Sequence, residues 1–524
     1  MKKSCPGIIR YFLFLIVCCV GFDAAAQPYY DVTKFGAKKD STAKATQAIK
    51  RAIDAAAKAG GGTVYFPAGK YLTGPIHFKS NITLFIDAGA ELHFSNDFDD
   101  YLPMVESRYE GVDVTSFSPL FYANNVENIA ITGRGIIDGH GKKWWDFVEG
   151  YKQDQPRSKW QHEFDRLNKD ILLPDDPKQM KRGFLRPPLV QFMHSKNILI
   201  QGVTFRNSPF WTINPEFCDN VTIHAVTVLN PQRLAPNTDG INPESCSNVR
   251  ISDCFISVGD DCITIKSGKD QPGRAKAKPA ENYSITNCTM LSGHGGVVIG
   301  SEMSGDVKKI TISNCVFDGT DRGIRLKTVR GRGGVVEDIR VDNIIMKNIK
   351  DQAIVMDMEY AKSSLEPVSE RTPKFRNIRL SNITAYTNEA MYINGIEEMP
   401  VSEISLHDVV FEAQRGITIR NAKDIQLHNV RVNTTVGSSL KADNVERLLV
   451  NGFETAKPVE DKSVITLNNT KEVLLQNSWP FSDTQKYLEI TGAETKDINL
   501  RNNLFTNELI LVGKEVDTKE VKRN

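Results

Sequence analysis

Three carboxylates, an imidazole and two cations recur along this chain at intervals that suit one another. Asn237-Thr238-Asp239-Gly240 precedes Gly259-Asp260-Asp261-Cys262, followed by Gly293-His294-Gly295 and Arg325-Leu326-Lys327. Asp239 to Asp260 is 21 residues, Asp261 to His294 is 33, His294 to Arg325 is 31, and Tyr360 lies 33 beyond Lys327. A lone aspartate near Gly and Asn is ordinarily a solvated turn residue. Three of them, registered with a histidine and two cations, point instead to a reaction. Crowded carboxylates push at least one pKa up and keep a proton near neutral pH. Hydrolysis of a glycosidic bond needs that pairing, one protonated carboxyl for the leaving oxygen and one ionised carboxyl to activate water. Clustered Asp oxygens also suit Ca²⁺, so calcium-dependent chemistry is the rival on residue types alone. Arg325 and Lys327 are two apart, hence on one side of a strand, and suit a carboxylate-bearing sugar. Glycines on both sides of His294 allow a ligand close to the backbone.

Residues so far apart meet only if each interval is one turn of a repeating structure. A seven-residue phrase supplies that repeat: Asn or Asp, aliphatic, any, aliphatic, polar, Asn or small, then Val, Ile or Cys. It starts at Asn197, Asn220, Asn248, Asn282, Lys309, Asp338, Asn377, Glu403 and Asp424, with degenerate copies at Glu472 and Asp497. Its period-2 alternation is a strand with one buried face. One short strand per 21 to 39 residues leaves connections too long for a hairpin array. The spacing predicts an all-β right-handed parallel β-helix, each copy stacked on the last around an aliphatic column.

An open solenoid end needs a cover. Residues 41–59 place Ala45, Ala48, Ile49, Ala52, Ile53 and Ala56 on one helical face, with Ser41 or Thr42 as N-cap and Gly60-Gly61-Gly62 as the stop. This predicts a capping helix, with the first strands at 63–72 and 81–92. Between about 142 and 188 the pattern breaks into a charged, proline-containing insertion carrying Trp144, Trp145 and Trp160. Such an insertion either shapes a binding face or decorates the surface. Residues 27–524 read as one domain, with degenerate coils from about 440.

Lys+Arg 65 against Asp+Glu 64 gives a net charge of +1, which excludes a global pull toward nucleic acid or anionic lipid. Attraction for an acidic substrate must be local. Lys2, Lys3 and Arg10, an apolar run over 11–22 and Ala24-Ala25-Ala26 read as a signal peptide over 1–26. The protein is expected to be periplasmic or secreted, with lipid anchoring at Cys18 or Cys19 as a second reading. No later stretch is apolar enough to span a membrane. The six remaining cysteines match no zinc spacing. Cys254, Cys288 and Cys315 fall in the slot that Val203, Val226 and Ile344 fill elsewhere, so packing is favoured over a stacked disulfide.

The four motifs, in this order and spacing, resemble the signature of glycoside hydrolase family 28, the polygalacturonases. The likeness runs from 30 to about 340 and includes FGAKKDSTAKATQAIKRAI, GGGTVYFPAG, GHGKKWW, NSPFWTINP and GHGGVVIGSEMSG. The later coils match only as generic repeats. The resemblance implies single-displacement, inverting hydrolysis of an α-linked galacturonide, with no cofactor and no metal. It implies Asp260 as general acid, Asp239 and Asp261 as water-activating carboxylates, and His294 as the residue that tunes the acid or positions substrate. Arg325, Lys327, Tyr360 and Asn237 become substrate-binding residues, Tyr360 on spacing alone and equally readable as structural. The implied partner is a pectic polysaccharide, and the capped solenoid suggests a monomer. The insertion suggests a closed groove and exo action. Rhamnogalacturonan or another branched pectin is the alternative substrate. A calcium-dependent pectate lyase and a non-catalytic carbohydrate-binding solenoid are the alternatives of other classes. Asn242 stands where many relatives have Asp, and Met290 where fungal relatives place the cysteine that pairs with the one after the Asp pair, so no Cys262 disulfide is expected. Arg233 adds a cation near the site or a surface salt bridge.

Overall fold

The computed structural model describes residues 29–149, 156–171, 185–232, 234–481 and 483–523. The expected signal peptide, Arg233 and parts of the insertion lie outside them. The strands from Tyr29–Asp31 to Val521–Arg523 belong to one parallel ladder of 29, beside a four-stranded parallel sheet and a single antiparallel hairpin. The chain winds as the predicted right-handed parallel β-helix. Each phrase lies directly on the next: Ile200 pairs with Ile223, Ile223 with Ile251, Ile251 with Ile285 and Ile285 with Ile312. All five are buried, and this column is the core that alternation dictates.

The phrase has a second physical content. Its first residue is left-handed in every copy, with φ of 57° at Asn197, 56° at Asn220, 58° at Lys309 and 55° at Asp497. Most of its sixth residues are too, including Asp253, Asn287 and Asn314 at 56–58°. Asn and Asp tolerate this conformation best among residues with a side chain. The asparagines also ladder between coils: Asn220 donates to Asn197 and Asn197 to Asn128, each at 2.8 Å.

Helix α1 (Thr46–Lys58) buries Ala48, Ile49, Ala52, Ile53 and Ala56 against the first coil. The expected start at Ser41 is corrected: Asp40–Lys44 is a strand paired with Gly69–Thr73, and Ala45 caps the helix without a side-chain bond. Pairing with a neighbouring coil overrides the local capping signal. The two expected first strands are likewise each two strands, Gly62–Phe66 with Gly69–Thr73 and Ile82–Ile86 with Ala90–Phe94, because the chain must turn a corner of the coil within each.

The insertion contains α2 (Lys142–Glu149) and α3 (Lys159–Leu167). Its tryptophans do not face the carboxylates. Trp144 is fully buried against Phe98, Tyr101 and Phe117, and Trp160 packs on Phe98 and donates to Asp99. Asn168, after α3, bonds both backbone groups of Thr115. Helix α3 thereby braces the hairpin of Val105–Tyr109 and Val112–Ser116. A fourth helix, α4 (Asp270–Lys276), follows the strand Ile263–Ile265.

Candidate active site

The expected residues meet because their loops leave successive coils in register. Gly240 N–H donates to Asp261 C=O at 3.0 Å, Cys262 to Gly295 at 2.9 Å, and Gly296 to Gly323 at 3.0 Å. Strand Ile263–Ile265 pairs with Val297–Gly300, which pairs with Ile324–Lys327, setting Val298 opposite Arg325 and Gly300 opposite Lys327. Asp239, Asp260, Asp261, His294, Arg325, Lys327, Tyr360 and Asn237 all line one cleft of about 580 Å³.

Each carboxylate has a different environment. Asp239 is buried and accepts from Asn242 Nδ2 at 3.0 Å and Thr264 Oγ1 at 3.2 Å. Burial, then the charge of Asp260, pushes it well above the ordinary carboxylate range. Asp261 is also buried, which pushes its pKa up, yet Lys327 and Arg325 outweigh that and hold it low. Lys327 Nζ donates to Asp261 Oδ2 at 2.8 Å, while Arg325 lies 3.6 Å from Oδ1. Asp260 is the most accessible of the three, with its carboxylate oxygen 3.2 Å from His294 Nδ1. That contact leads the upward shift of His294, against its partial burial. The three carboxyls present oxygens within 4.8 Å of one another.

The cations and the ring form the opposite side. Arg325 and Lys327 lie 5.4 and 5.5 Å from the centre of the Tyr360 ring, which is half exposed. Arg325's only ion pair among the described residues exceeds hydrogen-bond length, so its donors remain available to an anionic group. Asn237 accepts from Arg186 at 2.7 Å. The glycines of the Gly-His-Gly motif serve the protein's own packing. A Cβ on Gly293 would stand 2.4 Å from Asp260 O, and one on Gly295 2.5 Å from Val298 Cγ2. This packing is a second reason for glycine at both positions, beside the expected room for a ligand.

Several lining residues carry no motif of their own. Lys266 donates to Glu302 at 2.7 Å and sits 4.9 Å over Trp211; burial pulls it down, but Glu302 and Asp239 hold it well above the ordinary lysine range. Arg322, Arg332 and Lys269 also face the cleft. Glu302 and Trp211 lie inside GHGGVVIGSEMSG and NSPFWTINP, so the quoted likeness contained them without assigning a role. Glu110, at the hairpin tip, gave no signal because it reaches the cleft only through tertiary packing. All six cysteines described are free and buried. Cys262 donates to Ser292 O at 3.0 Å, and Cys315 pairs in register with Ile344.

A parallel β-helix with paired carboxylates and cations in one cleft is the architecture of a carbohydrate-active hydrolase, and the comparisons with known proteins agree. The family model for glycosyl hydrolases family 28 matches residues 175–435, and that for rhamnogalacturonase A/epimerase, pectate lyase-like, matches 29–152. An endo-polygalacturonase of Pectobacterium carotovorum subsp. carotovorum is 30% identical over 393 residues, 73% of this chain and 88% of that one. A probable polygalacturonase of Vitis vinifera is 36% identical over 326 residues, and the match spans 60% of each protein. The crystal structure of a hyperthermoactive exopolygalacturonase from Thermotoga maritima superimposes with a TM-score of 0.70 at 34% identity, covering 77% of this chain and 91% of that one. The chain belongs to glycoside hydrolase family 28, the polygalacturonase family.

Proposed function

We propose that this protein is an exported, monomeric exo-polygalacturonase that releases α-linked galacturonic acid from the ends of pectic chains. The observation that carries it is the gathering of three carboxylates within 4.8 Å of one another, two of them buried and one accessible, beside two cations in one cleft. Asp239 and Asp260 crowd one another and hold one proton between them; Asp260, the accessible one, delivers it to the leaving oxygen, and His294 tunes it. Asp239 and Asp261 hold the attacking water, and Asp261 Oδ1, which accepts no hydrogen bond from a described group, takes up its proton. Arg325, Lys327, Tyr360 and Asn237 hold the uronate ring, with Arg325 on its carboxylate.

The carboxylate separation is shorter than the roughly 6.5–9.5 Å usual for inverting pairs. Inversion is nonetheless the better account, because neither candidate nucleophile is free: Asp239 is held by Asn242 and Thr264 and Asp261 is bound to Lys327. Each can orient water without attacking carbon. A calcium-dependent elimination fits poorly, because the ammonium of Lys327 already occupies the cation position beside Asp261.

The exo reading is supported by the hairpin tip. Glu110 lines the cleft, and a Cβ on Gly111 (φ 81°) would lie 2.9 Å from Lys269, so the tip packs tightly against a lining residue, and in this reading it walls one end. A wall there admits chain ends only. Time-resolved NMR of a trigalacturonide digest tests the chemistry. The wild type should release the β-anomer first, and Asp260→Asn should turn over about 10³-fold more slowly with an unchanged fold. An α-anomer as first product, or near-full activity in the folded variant, would remove these assignments.

A further inference from the structure

Away from the cleft, on the sheet that carries Ala90–Phe94, Ile136–Asp138 and Thr204–Arg206, two imidazoles and two carboxylates converge. His93, Asp138 and Arg206 are direct register partners on these three neighbouring strands. The chain then turns back through Gly139 to His140, whose φ of 47° is left-handed. Glycine is required on both sides of it: a Cβ at Gly139 would lie 2.7 Å from Asn207 O and one at Gly141 2.5 Å from Ser208 O. The turn brings His140 Nε2 to 3.0 Å from His93 Nδ1 and 4.0 Å from Asp138 Oδ1. His93, Asp138 and His140 each offer a ligand atom, all within 4.8 Å of one another. None of them lines the catalytic cleft.

The groups behind this cluster orient it as outer-shell partners orient metal ligands. Glu91 Oε2 lies 3.1 Å from His93 Nε2. It accepts the proton there and leaves the Nδ1 lone pair aimed at His140. Arg206 Nε donates to Asp138 Oδ2 at 2.7 Å, and Asn207 Nδ2 reaches both oxygens at 3.0 and 3.1 Å. His140 N–H fixes Oδ1 at 2.9 Å. Two imidazole nitrogens on one tetrahedral zinc ion stand about 3.3 Å apart, given Zn–N bonds of about 2.05 Å. The observed 3.0 Å needs little movement. Imidazole with carboxylate selects divalent zinc-like or copper-like ions over Ca²⁺ or Mg²⁺.

We propose that His93, Asp138 and His140 form a site for one divalent transition-metal ion, buttressed by Glu91, Arg206 and Asn207. In the metal-free protein one imidazole N–H bridges the two rings. On binding, His140 carries its proton on Nδ1 instead, and the ion takes the bridging place. The ion would clamp the turn that begins α2 onto the preceding coil.

Titration of the untagged, chelator-stripped protein with ZnCl₂, followed by calorimetry and melting temperature, tests this. One saturable ion and a raised melting temperature are expected in the wild type and in Asp239→Asn. His93→Ala and His140→Ala should lose the site, and Glu91→Gln should weaken it about 10–100-fold. Cu²⁺ in the same protein should give an electron paramagnetic resonance signal coupled to two nitrogens. Absence of saturable Zn²⁺ binding would overturn the proposal. So would binding that survives both histidine substitutions with circular dichroism unchanged, or binding that is lost only in Asp239→Asn, which would move the ion to the cleft.

Discussion

Asp261 shows most directly how surroundings assign chemistry to a side chain. Its burial alone would protonate it, and Lys327 and Arg325 reverse that. The sign follows: a depressed folded-state pKa stabilises the fold above the ordinary aspartate range and is lost as the pH falls through the folded value. Lys327→Met removes the stronger partner, so the acid limb of kcat/KM should move to higher pH and activity at neutrality should fall at least tenfold. An unmoved acid limb would show that Asp261 does not titrate in that limb. Asp239 has the opposite sign, its proton being held upward by burial and by Asp260. The residue types of this site were legible in four short motifs because each motif recurs about one coil after the last, three in turns and Arg325-Leu326-Lys327 on a strand. Asn242 was legible as an oddity, and its bond to Asp239 gives the oddity a location. Lys266 and Glu302 were not legible, since a buried ion pair leaves no periodic trace in sequence.

At the scale of elements, the phrase that repeats encodes both a strand and its two left-handed corners, which is why the coils were readable. The capping helix was readable from its apolar face but not at its start, where Asp40–Lys44 pairs with a neighbouring strand. The hairpin at the cleft was unreadable, because most of what holds it, from Asn168 to Glu244, lies 53 or more residues away. Arg108, 1% exposed, donates to Glu244 at 2.8 Å and lies 3.4 Å from Glu216, while its backbone carbonyl accepts from Gln191. Arg108→Leu would leave two buried carboxylates without their cation, a loss of about 3–5 kcal/mol measurable by urea denaturation. The loosened tip should also let internal fragments appear among the products. A cost below about 1 kcal/mol would mean that the network contributes little beyond packing.

Over the whole molecule, one ladder runs from Tyr29 to Arg523, and chemistry occupies a few loops on one side of it. Near-neutral net charge with a cation-lined cleft localises attraction for a polyanion to the place where it reacts. No helix among the described residues is long and apolar enough to cross a membrane. The insertion read either as shaping a binding face or as decorating the surface; in its described part α3 braces the hairpin whose tip lines the cleft. Sequence shows the aromatic content of the insertion but not that Trp144 and Trp160 pack on Phe98. Hydrolysis by the carboxylate cluster at a chain end is the activity proposed for this molecule. The direct measurement is the product profile from polygalacturonate with EDTA present, following reducing ends and ultraviolet absorbance together. New reducing ends, galacturonic acid from the earliest times and no unsaturated product are the predicted result. Ultraviolet-absorbing product formed only without EDTA would contradict it and give the three aspartates to calcium.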